Sequence, residues 1–111
     1  MKQRLLVMNG QRLVQSEQAG QWSTDKVEKA GAVTPGIYDI HLAKDADKTK
    51  RHDGQIIYLD NTDVFQQVGK HIVKHARSDF DNTPAIGTNV SVKYHGGRAV
   101  TGPTAKLGRR M

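Results

Sequence analysis

The chain has no cysteine. Disulfides, zinc ribbons and thiol nucleophiles are therefore excluded, and a reducing cytoplasm is the expected setting. Aromatic residues are scarce, at 5% of 111 positions, and apolar residues reach 36%. That is enough for one modest core in a small polar-surfaced domain. No apolar run approaches the ~20 residues of a membrane span, so no membrane partner is expected. The opening "MKQRLLVMNGQRLV" lacks the long apolar stretch and small-residue cleavage site of a signal peptide. Acidic residues are nearly missing from the second part. From Lys70 onward eight cations face two acids, Asp79 and Asp81, giving +6, whereas residues 1–69 balance at nine against nine. A basic C-terminal face made of Lys70, Lys74, Arg77, Lys93 and Arg98 is expected from this, suited to a polyanion or an acidic protein.

What is present is turn grammar. Asn9-Gly10 separates two apolar stretches and suits a type I′ turn, predicting a hairpin at about 4–8 and 11–16. Ala19-Gly20 reads as a second turn, and Trp22 is expected to pack on the core. "STDKVEKA" has Ser23 and Thr24 as cap candidates, so a helix and a strand compete there. "GIYDIHLA" alternates like a half-buried strand, with Tyr38, Ile40 and Leu42 on one face. The segment from Lys44 to Asp53 has seven charges in ten residues and reads as an exposed loop. "GQIIYLD", "DVFQQV" and "KHIVKHA" read as successive strands separated by turns at Asn61-Thr62 and Gly69. A helical turn begun by Ser78 is expected in "RSDFDNT". "TNVSVKYH" and the strand after Gly96-Gly97 complete a last hairpin.

The expected fold is mainly β. It is a small, strongly bent antiparallel sheet or half-open barrel with at most one or two short helical turns. One β-rich domain would span 1–102, followed by a flexible basic tail at 103–111.

His71 and His75 pose the chemical question. On a helix an i, i+4 pair shares a metal ion, but the two β-branched residues between them and Gly69 just upstream favour a strand. On a strand they stand ~13 Å apart, too far for one ion. "HIVKH" lacks the glutamate of HExxH, and no GxSxG, Walker A or GxGxxG pattern occurs. No metal site, catalytic residue or cofactor is expected, and a small-molecule substrate is not. Phe65, Tyr58 and Tyr94 are candidate stacking platforms for single-stranded nucleic acid, although a core role competes for each. Gln66 and Gln67 point to opposite faces of one strand, so one must find partners inside, where it is expected to lock the Gly69 turn.

Residues 54–100 carry one connected pattern of glycines, strands and polar positions. Gly54 and Ile56 open the pattern before a hydrophobic strand ending at Asp60. Phe65, Gln66, Gln67 and Gly69 form an aromatic-Gln-Gln-x-Gly step, Val73 and His75 follow, and Phe80 marks an acidic-aromatic corner. Gly87, Val90, Val92 and Tyr94 make the closing strand before the turn at Gly97. This pattern resembles the KfrB domain of broad-host-range conjugative plasmids, a likeness that extends upstream to about residue 36; in such relatives the aromatic at Phe65 is often tyrosine. The resemblance implies a non-enzymatic accessory module, acting in plasmid maintenance or transfer through a plasmid- or host-encoded protein. Nucleic-acid binding by the basic face, or inhibition of a host defence protein, are the alternatives. The resemblance also draws attention to Phe65, Gln66, Gln67, His75 and Tyr94 as polar and aromatic binding candidates.

Overall fold

A computed structural model describes residues 2–102. The described residues form ten strands, arranged in two sheets, and two 3-10 turns. β1 (Lys2–Met8), β2 (Gln11–Gln18), β3 (Gln21–Lys29) and β4 (Gly36–Tyr38) form the first sheet, in the order β3-β2-β1-β4. β5 (Lys44–Asp45), β6 (His52–Leu59), β7 (Asp63–Val68), β8 (His71–Ala76), β9 (Asn89–His95) and β10 (Arg98–Gly102) form the second, in the order β10-β9-β6-β7-β8-β5.

The expected hairpins are present and have the expected cause. Asn9 and Gly10 have φ of 52° and 75°, and Ala19 and Gly20 repeat that geometry at 53° and 79°. Positive φ at both central residues gives a turn whose twist matches paired strands. Between β6 and β7, the Asp60 carboxylate accepts bonds from the backbone N–H groups of Thr62 and Asp63 at 2.8 and 2.6 Å, which fixes the turn.

The second sheet bends strongly. A bulge between Ile56 and Tyr58 sets two residues of β6 against Phe65 of β7, and bulges increase local twist. The bend returns the chain leaving β8 to the far edge, where Phe80 makes a single parallel bridge to Ala99 of β10. The half-open barrel reading therefore holds: the ring is not closed by a continuous ladder. One strand departs from the antiparallel expectation, since β5 pairs in parallel with β8 through Lys44–Val73 and Asp45–Lys74.

Two cores result. Leu5, Val7, Val14, Val33, Tyr38 and Ile40 pack against Ile57 and Phe65, joining the first sheet to the outside of the curl. Each fully buried side chain of this size contributes about 1.5–3 kcal/mol. Gln55 fastens the β3–β4 connection to the same surface. Its amide nitrogen donates to Ala32 O at 2.7 Å and Gly87 O at 3.0 Å, and its oxygen accepts from Thr34 N–H at 3.2 Å. Inside the curl, Ile56, Val64, Phe80, Val92 and Ala99 form the second core.

Several expectations are corrected. "GIYDIHLA" is a strand only to Tyr38; Ile40–Leu42 is a 3-10 turn. Tyr38 and Ile40 are buried as the alternation requires, but Leu42 swings outward to 64% exposure. The charged stretch 44–53 is not wholly a loop, because it contains β5 and the buried His52 that starts β6. Trp22 lies off the core on β3, an edge strand with both faces largely open, and the Arg4 guanidinium sits 4.0 Å above its ring. The turn after β8 spans Arg77–Asp79 without a side-chain cap, so Ser78 does not begin it. The segment 103–111, expected as a tail, lies outside the described residues.

Candidate functional site

The curl's interior holds a chain of buried polar groups, assembled by register. Val64 opposes His75 across β7 and β8, and Gln66 opposes Val73, so Gln66 and His75 share the inner face. On β9, Val90, Val92 and Tyr94 share a face by the two-residue period. His52 opposes Val92. Gln66, His75 and His52 are all buried, and Tyr94 is half-buried.

The bonds in this chain run in one order. The amide nitrogen of Gln66 donates toward three backbone carbonyls, His52 O (3.1 Å), Gly54 O (3.2 Å) and Val90 O (3.0 Å). Three acceptors around that atom identify it as nitrogen, so the amide oxygen points to His75. His75 Nε2 must then donate to Gln66 Oε1, at 2.8 Å. Its Nδ1 accepts from the Tyr94 hydroxyl at 2.6 Å. His52 Nε2 donates to Asp47 O at 2.9 Å, and its ring meets His75 edge-on at 5.4 Å.

Electrostatics keep the chain neutral. Burial lowers the His75 pKa from 6.5 to about 4, with His52 adding to the effect and Asp79 opposing it. Burial, then Asp79, raises the Tyr94 hydroxyl to about 12. Both imidazole nitrogens of His75 are engaged, and neither proton is ready to leave near neutral pH. The arrangement clamps β6, β7, β8 and β9 together and presents no free base. Gly54 belongs to the same construction. A Cβ there would lie 1.7 Å from Gln67 O, so only glycine admits this approach of β6 to β7.

The candidates from sequence separate in space. Gln66, His75 and Tyr94 come together. Gln66 is satisfied by β6 and β9 carbonyls, and not by the Gly69 turn as expected. Gln67 is half-buried on the opposite face, and Phe65 is buried in the other core, 5.7 Å from Tyr58. The five basic candidates do not form one face. Lys70 and Arg77 flank β8 at opposite ends, ~20 Å apart at strand rise. Arg77 donates to Asp60 O at 2.6 Å, Arg98 holds Asp81 and Ser78 O, and Lys74 pairs with Asp45 at 3.7 Å. Lys93 alone of the five lines a cavity on the outer side of β9, with Arg51 and His95. The cations that sequence reading missed are Lys48, Lys50 and Arg51, brought next to Lys93 by the 44–51 segment. Their signal is the charged stretch before "HDG", whose tertiary placement is not local information.

The first sheet's outer face carries a different feature. Register places Ile37, Leu6, Leu13 and Val27 in one row across β4, β1, β2 and β3. Ile37 is 61% exposed and Val27 54%, with Leu6 and Leu13 half-buried between them. Met8, exposed, shares this face by the same period. Lys2, Arg4 and Lys29 border the row, against Glu17.

Among the described residues, no group of three or more His, Asp or Glu is placed to hold a metal ion, and no helix is long and apolar enough to cross a membrane. The family model of the KfrB domain matches residues 51–103, which is the curled sheet from the last residue before β6 through β10. The chain is 36% identical over 98 residues to Protein TraB of Escherichia coli, covering 86% of this chain and 67% of that protein. The match reaches beyond the curled sheet into the N-terminal sheet. The chain belongs to the KfrB family.

Proposed function

We propose that this protein is a non-enzymatic accessory module in plasmid maintenance or transfer, and that it engages a protein partner through the outer face of its first sheet. The observation that carries the reading is the apolar row Ile37–Leu6–Leu13–Val27, exposed at both ends and unpartnered across four strands. Contiguous apolar surface of this kind on a small domain marks an interaction site. The border holds three cations against one acid, so the fitting partner presents an apolar ridge with an acidic rim. The outer edge of β3 adds unpaired backbone groups along nine residues, available to an added strand. The non-enzymatic part is supported by His75, whose ring nitrogens are both occupied.

The double substitution Val27→Asp and Ile37→Asp tests the proposal. Both positions are exposed, so the melting temperature should hold while plasmid transfer or retention falls and the contact to a plasmid- or host-encoded protein is lost. Sedimentation of the wild-type chain separates a second copy from a foreign partner. Unchanged transfer and retention in a folded double variant defeats the reading. A second reading, nucleic-acid contact, is favoured by Lys48, Lys50, Arg51 and Lys93 around one cleft.

A further inference from the structure

Behind β9, on the side facing away from the buried relay, Arg51, Ser91, Lys93, His95 and Val100 line a cavity of about 300 Å³. Ser91 is 6% exposed, and its Oγ is buried with no hydrogen-bond partner in the protein. Across the ladder Ser91 opposes Asp53. One carboxylate oxygen of Asp53 pairs with Arg51 at 3.2 Å, while the other, Oδ1, is buried and also unpartnered. An unmatched buried polar group costs about 1–3 kcal/mol, and two of them side by side in a well-formed strand pair require an explanation. Arg51 and Lys93 are the cations that line the cavity, and an adjoining cavity of about 150 Å³ adds Lys50 and Lys48, the latter paired with Asp79 at 3.2 Å.

We infer that this cavity binds a phosphate ester, the chemistry of a nucleotide, free or within a single strand. Lys93 and Arg51 face the anionic oxygens. Ser91 Oγ donates to one of them, which supplies its missing partner. The cavity of about 300 Å³ and the adjoining one of about 150 Å³ leave room beyond a phosphate group, so an ester fills them better than inorganic phosphate. The site lies on the second sheet, away from the apolar row on the first, so either assignment fails without the other.

The test is an amide-resolved NMR titration of the full chain at ~50 mM salt with three probes: inorganic phosphate, adenosine monophosphate and an eight-nucleotide single-stranded DNA. The expected result is shift changes centred on Arg51, Ser91 and Lys93 with the two nucleotide probes, at affinities above that of inorganic phosphate. Lys93→Glu should weaken binding by about tenfold or more, the loss of one charge-assisted contact. Ser91→Ala should weaken it by about fivefold with no fall in melting temperature, because Oγ has no protein bond to lose. Tighter binding of the oligonucleotide, dropping steeply between ~50 and ~200 mM salt, identifies the strand as source; equal binding of both probes identifies the free nucleotide. No shifts with either nucleotide probe, shifts centred elsewhere, a preference for inorganic phosphate, or binding unchanged in both variants overturns the inference.

Discussion

The two sheets solve different problems. The curled second sheet has its polar groups inside: Gln66, His75 and Tyr94 form a neutral, bonded chain among Ile56, Val64 and Val92. The first sheet buries Leu5, Val7 and Val14 on a face shared with Ser16 and Arg12, and turns a second apolar row, Leu6, Leu13, Val27 and Ile37, outward. The family pattern at 51–103 coincides with the sheet that has the internal polar chain. The difference teaches why that pattern is made of glycine, glutamine, histidine and tyrosine. These residues meet a geometric demand that packing alone leaves loose, since a buried polar chain must be complete or it destabilises. The first sheet's inward polar contacts are separate pairs, Ser16 with Asp25 and Arg12 with Glu28, and its outer apolar row is free to fit a partner.

Breaking the second sheet should have the largest effects. Gly54→Ala forces a Cβ against Gln67 O and should cost about 3 kcal/mol or more, read by chemical denaturation. The corresponding glycine change in the first sheet's turn, Gly10→Ala, meets no atom within 4 Å and bears only its positive-φ strain, about 1–2 kcal/mol.

Acid should weaken the protein through the same sheet. His75 is neutral when folded, with a pKa near 4, and titrates near 6.5 when unfolded. The unfolded state therefore binds the extra proton between those values. Stability is full above pH 6.5 and falls as pH drops toward 4, by about 3 kcal/mol at 1.36 kcal/mol per unit. Denaturation midpoints at pH 7 and 4.5 measure this, and a folded His75→Gln variant should show a flatter profile.

Tyr94→Phe removes the donor to His75 Nδ1 and should cost about 1–2 kcal/mol, seen as a lower melting temperature. In the first sheet, Ala19→Asn should gain about 0.5–1 kcal/mol, because Ala19 holds φ 53° where asparagine is better tolerated. A gain at Ala19 beside a loss at Tyr94 sharpens the contrast between an under-optimised peripheral hairpin and a fully specified curl.

Much of this was legible. Asn9-Gly10, Ala19-Gly20 and Gly96-Gly97 announce their hairpins because positive φ is a local demand, and all six residues meet it. The strands from β6 to β9 follow their alternation, and His71 and His75 fall on one strand as β-branching between them requires. The strand reading of Ile40–Leu42 failed because Tyr38 at the end of β4 and Ile40 at the start of the 3-10 turn are both buried, as a continued strand would have them. Trp22 was misjudged because edge position is a property of sheet order, which no local pattern encodes. The Gln66–His75–Tyr94 residues were named from sequence, yet their union depends on the curl at the Ile56–Tyr58 bulge. The cleft cations Lys48, Lys50 and Arg51 were hidden for the same reason: β5 is placed by a parallel pairing to β8.

The most direct measurement is the NMR titration of the His75 imidazole. A neutral ring protonated at Nε2 down to about pH 4 is the predicted result, and would mark the second sheet's interior as framework. A ring that titrates at 6 to 7, or carries its proton on Nδ1, would contradict that claim and return a reactive histidine to the centre of the molecule.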